Sequence, residues 1–98
     1  MTATAALTHE TFAPCLGQPF QIETDAEPAL DCELVEVTPR SEQRDGRRPF
    51  SLLFRGPAAP ILPQRIYRLR HPTLGELDLF LVPIGPSGDG IGYEAVFN

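Results

Sequence analysis

Hydrophobic and polar positions alternate most regularly in PQRIYRLRHPTLGELDLFLVPIGP, residues 63–86. On the first arm Ile66, Arg68 and Arg70 alternate with Tyr67 and Leu69; on the second, Glu76, Asp78, Phe80 and Val82 alternate with Leu77, Leu79 and Leu81. A period of two marks a strand with one face buried. Folding the arms about residues 71–75, where Pro72 and Gly75 supply the bend, sets Arg70 opposite Glu76, Arg68 opposite Asp78 and Ile66 opposite Phe80. The other face then pairs Leu69 with Leu77 and Tyr67 with Leu79. A slip of one residue would place Arg beside Leu and turn the leucines to water, so the pattern selects a single register.

Shorter alternating runs surround this hairpin. Residues 19–24, PFQIET, set Phe20 and Ile22 against Gln21 and Glu23, and DAEPA turns the chain into a second strand over 30–38. There Leu30, Cys32 and Leu34 share one face while Val35 and Val37 fall on the other, which predicts a β-bulge or a strand serving two layers. A third strand over 50–55 points Phe50, Leu52 and Phe54 inward, and a last one over 91–98 alternates Ile91, Tyr93, Ala95 and Phe97 with Glu94 and Val96. Near the start, Thr8 caps a turn of helix over residues 9–12 that Pro14 and Gly17 stop. Leu7, Phe12 and Leu16 share one side of it and are expected to plug an open end of the sheet.

Two segments lack this alternation. GPAAPILP, residues 56–63, is too short for a helix, and its prolines predict a stiff, extended crossover into the hairpin. PRSEQRDGRRP, residues 39–49, holds no apolar residue and so forms an exposed loop, with Asp45 and Gly46 at its tip. Short strands, no long helix and no repeat define an all-β class: a small antiparallel barrel or roll of about six strands with a short N-terminal helical turn. Closure also removes the aggregation-prone edges that apolar strands would otherwise expose. Residues 1–98 are read as one such domain.

Composition narrows the function classes. The chain has 98 residues, 42% hydrophobic and 21% charged, with eleven prolines and eight glycines. These break the chain into pieces of about seven or eight residues, too short for typical helices and right for strands. Net charge is −5, and every basic residue is Arg. Residues 1–36 carry acids and no Arg, whereas all eight Arg lie beyond them. The acidic balance argues against general nucleic-acid binding, which needs clustered cationic contacts. Cys15 and Cys32 lack CxxC spacing and read as two buried thiols, a disulfide being the alternative. Neither a leader-like N-terminus nor an apolar run of membrane length is visible, so the expectation is no membrane partner and a cytoplasmic location, or one on a particle.

Candidate chemistry is sparse. No GxSxG surrounds Ser41, Ser51 or Ser87, no HExxH occurs, and His9 and His71 are the only histidines. His71 reads as a turn residue, and the glycines at 85, 88, 90 and 92 read as a hairpin turn, since no helix follows them to hold a phosphate. No enzyme and no cofactor is expected, for want of a convergent acid, base and nucleophile. The candidate contact residues are Arg40, Arg44, Arg47 and Arg48 in the polar loop, and Arg68 and Arg70 on the hairpin, offered to a protein partner or to further copies of the chain. The alternative is a small barrel of the oligonucleotide-binding or RNA-binding type, using Arg44, Arg47, Arg48, Arg68 and Arg70 with Tyr67 as a stacking ring. A barrel holding a small apolar ligand is a third class, opposed by Phe20, Phe50, Phe54, Phe80 and Phe97, which are expected to fill the interior.

FAPCLGQPF at 12–20, FSLLFRGP at 50–57, LPQRIYRLRHPTLGELDLFLVPIGP at 62–86 and YEAVFN at 93–98 resemble an uncharacterised family of small bacterial all-β proteins of this length. Its members occur near genes for phage-tail-collar-type or tail-fibre-like proteins. The resemblance covers residues 7–98 and is most specific in the hairpin and the terminal YEAVFN. It implies a structural or protein-interaction module, with accessory duty on a phage-tail-like particle, and transfers no catalytic or binding residue.

Overall fold

A computed structural model of the chain describes residues 8–24, 29–40 and 49–97. Helix α1 (His9–Phe12) runs into a tight 3-10 turn, Ala13–Cys15, and six strands follow: β1 (Pro19–Ile22), β2 (Leu30–Pro39), β3 (Phe50–Gly56), β4 (Arg65–His71), β5 (Gly75–Ser87) and β6 (Gly90–Phe97). They close into an antiparallel barrel in the order β1-β2-β3-β6-β5-β4. The β4–β5 hairpin has the register its alternation predicts: Arg70 lies opposite Glu76, Arg68 opposite Asp78, Leu69 opposite Leu77, Tyr67 opposite Leu79 and Ile66 opposite Phe80.

The β2 change of face is a bulge. Val35 is the extra residue between the Leu34–Phe54 and Glu36–Leu53 pairs. It shifts the parity of the strand, so that Val37 packs against the same core as Cys32 and Leu34. A second register shift falls at Ile84 in β5, between Pro83 and Gly85. Residues 84–87, expected to be part of a glycine-rich turn, therefore continue β5 as strand, and the turn shrinks to Gly88 and Asp89 between the paired Ser87 and Gly90. Gly88, at φ 59°, supplies the left-handed position there. At β1 the expectation was too long: the strand stops at Ile22, although the Glu23 N–H still donates to the Arg68 carbonyl at 2.9 Å.

The interior is filled by side chains from every strand. Phe20, Ile22, Leu34, Phe54, Leu69 and Leu81 are wholly buried. At one end Phe12 of α1 packs its ring on Phe50 and Phe97, at 6.0 and 5.8 Å between centroids, and those two rings stack at 4.4 Å. Phe12 thus provides the expected plug, while Leu16 turns to solvent and Leu7 lies outside the described residues. Over the other end runs the crossover, which bends at residues 58–60 rather than running straight and buries Leu62. Two tyrosines hold it from inside: the Leu62 N–H donates to the Tyr93 hydroxyl at 3.0 Å, and the Tyr67 hydroxyl donates to the Pro63 carbonyl at 2.6 Å. Each ring stays in the core while its hydroxyl satisfies a crossover amide group.

Phe80 departs from the expectation that it fills the interior. It is 51% exposed and lies on the outer wall beside Ile66, as its pairing in the hairpin requires. Inward places on β5 go to Leu77, Leu79 and Leu81, and a strand cannot turn successive side chains the same way.

Cys15 and Cys32 are free, buried thiols. Burial, reinforced by the negative charge of Asp31, pushes the Cys32 thiol up to about 12, against 9.0 for an ordinary thiol. Since the folded state holds this proton more tightly than the unfolded one, the contribution is complete below pH 9 and fades as pH rises toward 12. Between about pH 8 and pH 10.5 wild type should lose about 1–2 kcal/mol more stability than Cys32→Ala. Urea midpoints of both proteins at the two pH values measure it, and parallel losses would remove the thiol from the account.

Candidate interaction surface

His71 ends β4, where the hairpin bends, and is buried, the one buried polar side chain among the described residues. Its Nδ1 accepts the N–H groups of Thr73 and Leu74 at 3.1 and 3.2 Å. That leaves the proton on Nε2, which donates to Gln18 Oε1 at 2.7 Å. The ring lies 4.6 Å from that of Phe20. His71 thus stands at the last strand position, paired with Gly75, rather than in the turn as expected, and its side chain latches the bend to the segment that leads into β1. Replacing it with alanine leaves two turn amides without an acceptor, and should lower stability by about 1–3 kcal/mol in a urea titration. A change within error would mean that water replaces the imidazole at no cost.

Beside this latch lies an open groove of about 610 Å³, lined by Pro19, Gln21, Asp31, Arg70, His71 and Pro72. Two of its polar side chains are committed. Both His71 nitrogens are bonded, and Arg70 Nε reaches Glu23 Oε2 at 3.0 Å. Among the described residues no group of three His, Cys, Asp or Glu side chains is placed to hold a metal ion.

The Arg residues singled out in the sequence fall into three groups. Arg44, Arg47 and Arg48, with the Asp45–Gly46 turn, lie outside the described residues. Arg40 is exposed at the base of that loop, its N–H donating to the Pro49 carbonyl at 2.8 Å. Arg68 and Arg70 stand on the outer wall of β4, both tied to acids. Arg68 Nε donates to Asp78 Oδ1 at 3.2 Å and its Nη1 lies 3.6 Å from Glu76 Oε1. The Asp78 bond holds the Arg68 guanidinium still more firmly protonated. Arg70 faces Glu76 in the backbone register, yet its side chain crosses the β1–β4 seam to Glu23, because closure brings that acid within reach. A further pair, Arg55 with Glu33 at 2.7 Å across β2 and β3, was not apparent before the strand neighbours were known. Tyr67 faces inward with its hydroxyl bonded, so its ring is not available for a base to stack on.

With Arg55, Arg68 and Arg70 paired to acids, the outer wall of β5 stands out as apolar. Phe80 and its cross-strand partner Ile66 are 51% and 66% exposed, and Val82 continues their side of the strand. Beyond the bulge, Ile84 is 54% exposed. Gly92 of β6 presents no side chain outward, and Ile84 Cγ1 and Leu53 Cδ1 both close over it, each 3.3 Å from where a Cβ would stand. Ile66, Phe80, Val82, Ile84 and Leu53 therefore form a strip along the wall. Glu94 stands beside it, opposite both Val82 and Leu53. Sequence reading missed this strip, although the hairpin register carried the signal: Phe80 opposite Ile66 sits on the Arg face, which is the wet one.

Among the described residues no helix is long and apolar enough to cross a membrane. No curated protein and no solved structure matches the chain. The model of a family described as a domain of unknown function, DUF6916, matches residues 7–97, and the chain belongs to that family.

Proposed function

We propose that the chain is a non-enzymatic protein-interaction module, a self-filled barrel that offers the outer strip on β5 to another protein. The observation that supports this best is the exposed cross-strand pair of Ile66 and Phe80, extended by Val82 and Ile84. An apolar surface held on a rigid ladder, rather than scattered singly, is the usual mark of a docking face. Accessory duty on a phage-tail-like particle is the setting that fits, because such assemblies use small β-barrels as docking units and the family resemblance points the same way. The nucleic-acid reading is less favoured, since Arg68 and Arg70 are neutralised by acids and Tyr67 is turned inward.

Affinity purification from the native host tests the module, with wild-type protein and Phe80→Asp as parallel baits. A protein recovered by wild type and lost with Phe80→Asp, at unchanged thermal midpoint, is the expected result. Identical recoveries from both baits would overturn the reading.

A further inference from the structure

The charges around the β5 strip are unequal. Toward one end stand Glu76, Asp78 and Arg68, two carboxylates sharing one guanidinium at 3.6 and 3.2 Å. Along the β6 side stands Glu94, which forms no ion pair among the described residues, next to the exposed Val96. Among the described residues the other guanidinium groups on the barrel wall do not redress this. Arg70 is taken by Glu23 and Arg55 by Glu33, and the Arg65 guanidinium lies over the inward-facing Tyr67 ring, 5.4 Å from its centroid. Among the described residues the strip thus has acids at its Asp78 end and Glu94 set between Val82 and Leu53.

We infer that the segment docking here is a basic amphipathic one, with apolar side chains along one face and Lys or Arg on its flanks. This rests on the interaction-module reading and names the partner's chemistry. The spacing suits it. Residues two apart on a strand are about 7 Å apart and neighbouring strands about 4.8 Å, so a partner seated on Phe80 and Val82 has Asp78 one step along β5 and Glu94 one strand away. Both carboxylates lie within reach of Lys or Arg side chains whose stems rest on the apolar strip. Ile66 with Phe80, and Val82 with Glu94, lie within hydrogen-bonded ladders, so the partner meets side chains rather than an open backbone edge. A second copy of the chain fits poorly. Its strip would bring the same carboxylates face to face with these, on a chain of net charge −5.

Panning a random peptide library displayed on phage over the intact protein tests this, followed by fluorescence anisotropy with the enriched peptides. Enriched sequences should interleave Lys or Arg with apolar residues. Their affinity should fall about tenfold on the paired substitutions Asp78→Asn and Glu94→Gln, and be lost on Phe80→Asp. It should also weaken as salt is raised from roughly 0.05 to 0.5 M. Peptides without cationic excess, no enriched peptide, or affinity indifferent to the paired neutralisation would overturn the basic partner while leaving the docking strip in place. So would light scattering that shows a dimer dispersed by Phe80→Asp. Peptide binding indifferent to Phe80→Asp would overturn the strip itself.

Discussion

Replacing Phe20 with alanine is expected to remove a large share of the protein's stability. Phe20 is wholly buried, meets Phe54 edge to face at 5.2 Å and lies against the His71 ring. It sits on β1, whose contact with β4 closes the barrel through only the Gln21–Arg70 and Ile22–Leu69 pairs. Removing it leaves a cavity at that seam and takes the packing surface from the His71 latch. Buried Phe→Ala changes cost about 3–5 kcal/mol, against a total of about 5–15 kcal/mol for a domain of this size. The matched control is Phe80→Ala, which removes the same atoms from the outer wall and should shift stability by no more than about 0.5 kcal/mol. Urea titrations followed by circular dichroism compare the two. Equal losses would mean that the inside and outside of β1 and β5 have been assigned wrongly.

Gly90→Ala should be nearly as damaging, for a different reason. Gly90 opens β6 where β3 ends, and a Cβ at this position would collide with the Gly56 carbonyl oxygen and stand 3.2 Å from Arg55 Cγ. The obstacle is backbone, which cannot swing aside as a flexible side chain can, so the first pairs of the β3–β6 ladder must separate. A loss of about 3 kcal/mol or more is expected. Gly75→Ala gives the contrast: its site has open space and only the left-handed φ of 78° to resist substitution, so it should cost about 1–2 kcal/mol. Thermal denaturation of both variants ranks them. A Gly90→Ala protein as stable as Gly75→Ala would show that the two strand ends are further apart than described.

Several elements were legible in the residues alone. In the hairpin the two faces differ so sharply, leucines on one and charges on the other, that a single register buries the leucines. The change of face at Val35 and Val37 pointed to a bulge or to a strand serving two layers, and the pairing with β3 selects the bulge. The Thr8 start of α1 followed from local capping chemistry, and the Thr8 N–H indeed donates to Thr11 Oγ1 at 3.1 Å. Less legible were the ends of strands. β5 runs on through a proline- and glycine-containing stretch because its register shift at Ile84 lets β6 pair with it as far as Ser87. The candidate surface was half seen: the Arg face was found, but Phe80 was counted among the core aromatics by its residue type rather than by its parity.

The sequence by itself determined the strands and the pairing of neighbours joined by short turns, because alternation and turn chemistry act between residues a few positions apart. Only the tertiary structure decided how the sheet closes, and with it which groups meet. Glu23 captures Arg70, Gln18 accepts the hydrogen bond of His71 Nε2–H from 53 positions away, two tyrosine hydroxyls pin the crossover, and Gly56 leaves no room beside Gly90. These contacts join segments distant along the chain, and they exist only once apolar burial has drawn the barrel shut. The strip along β5 belongs to the same class: its apolar residues were visible from the start, but its solvent exposure became definite only when every inward position had been taken by another side chain.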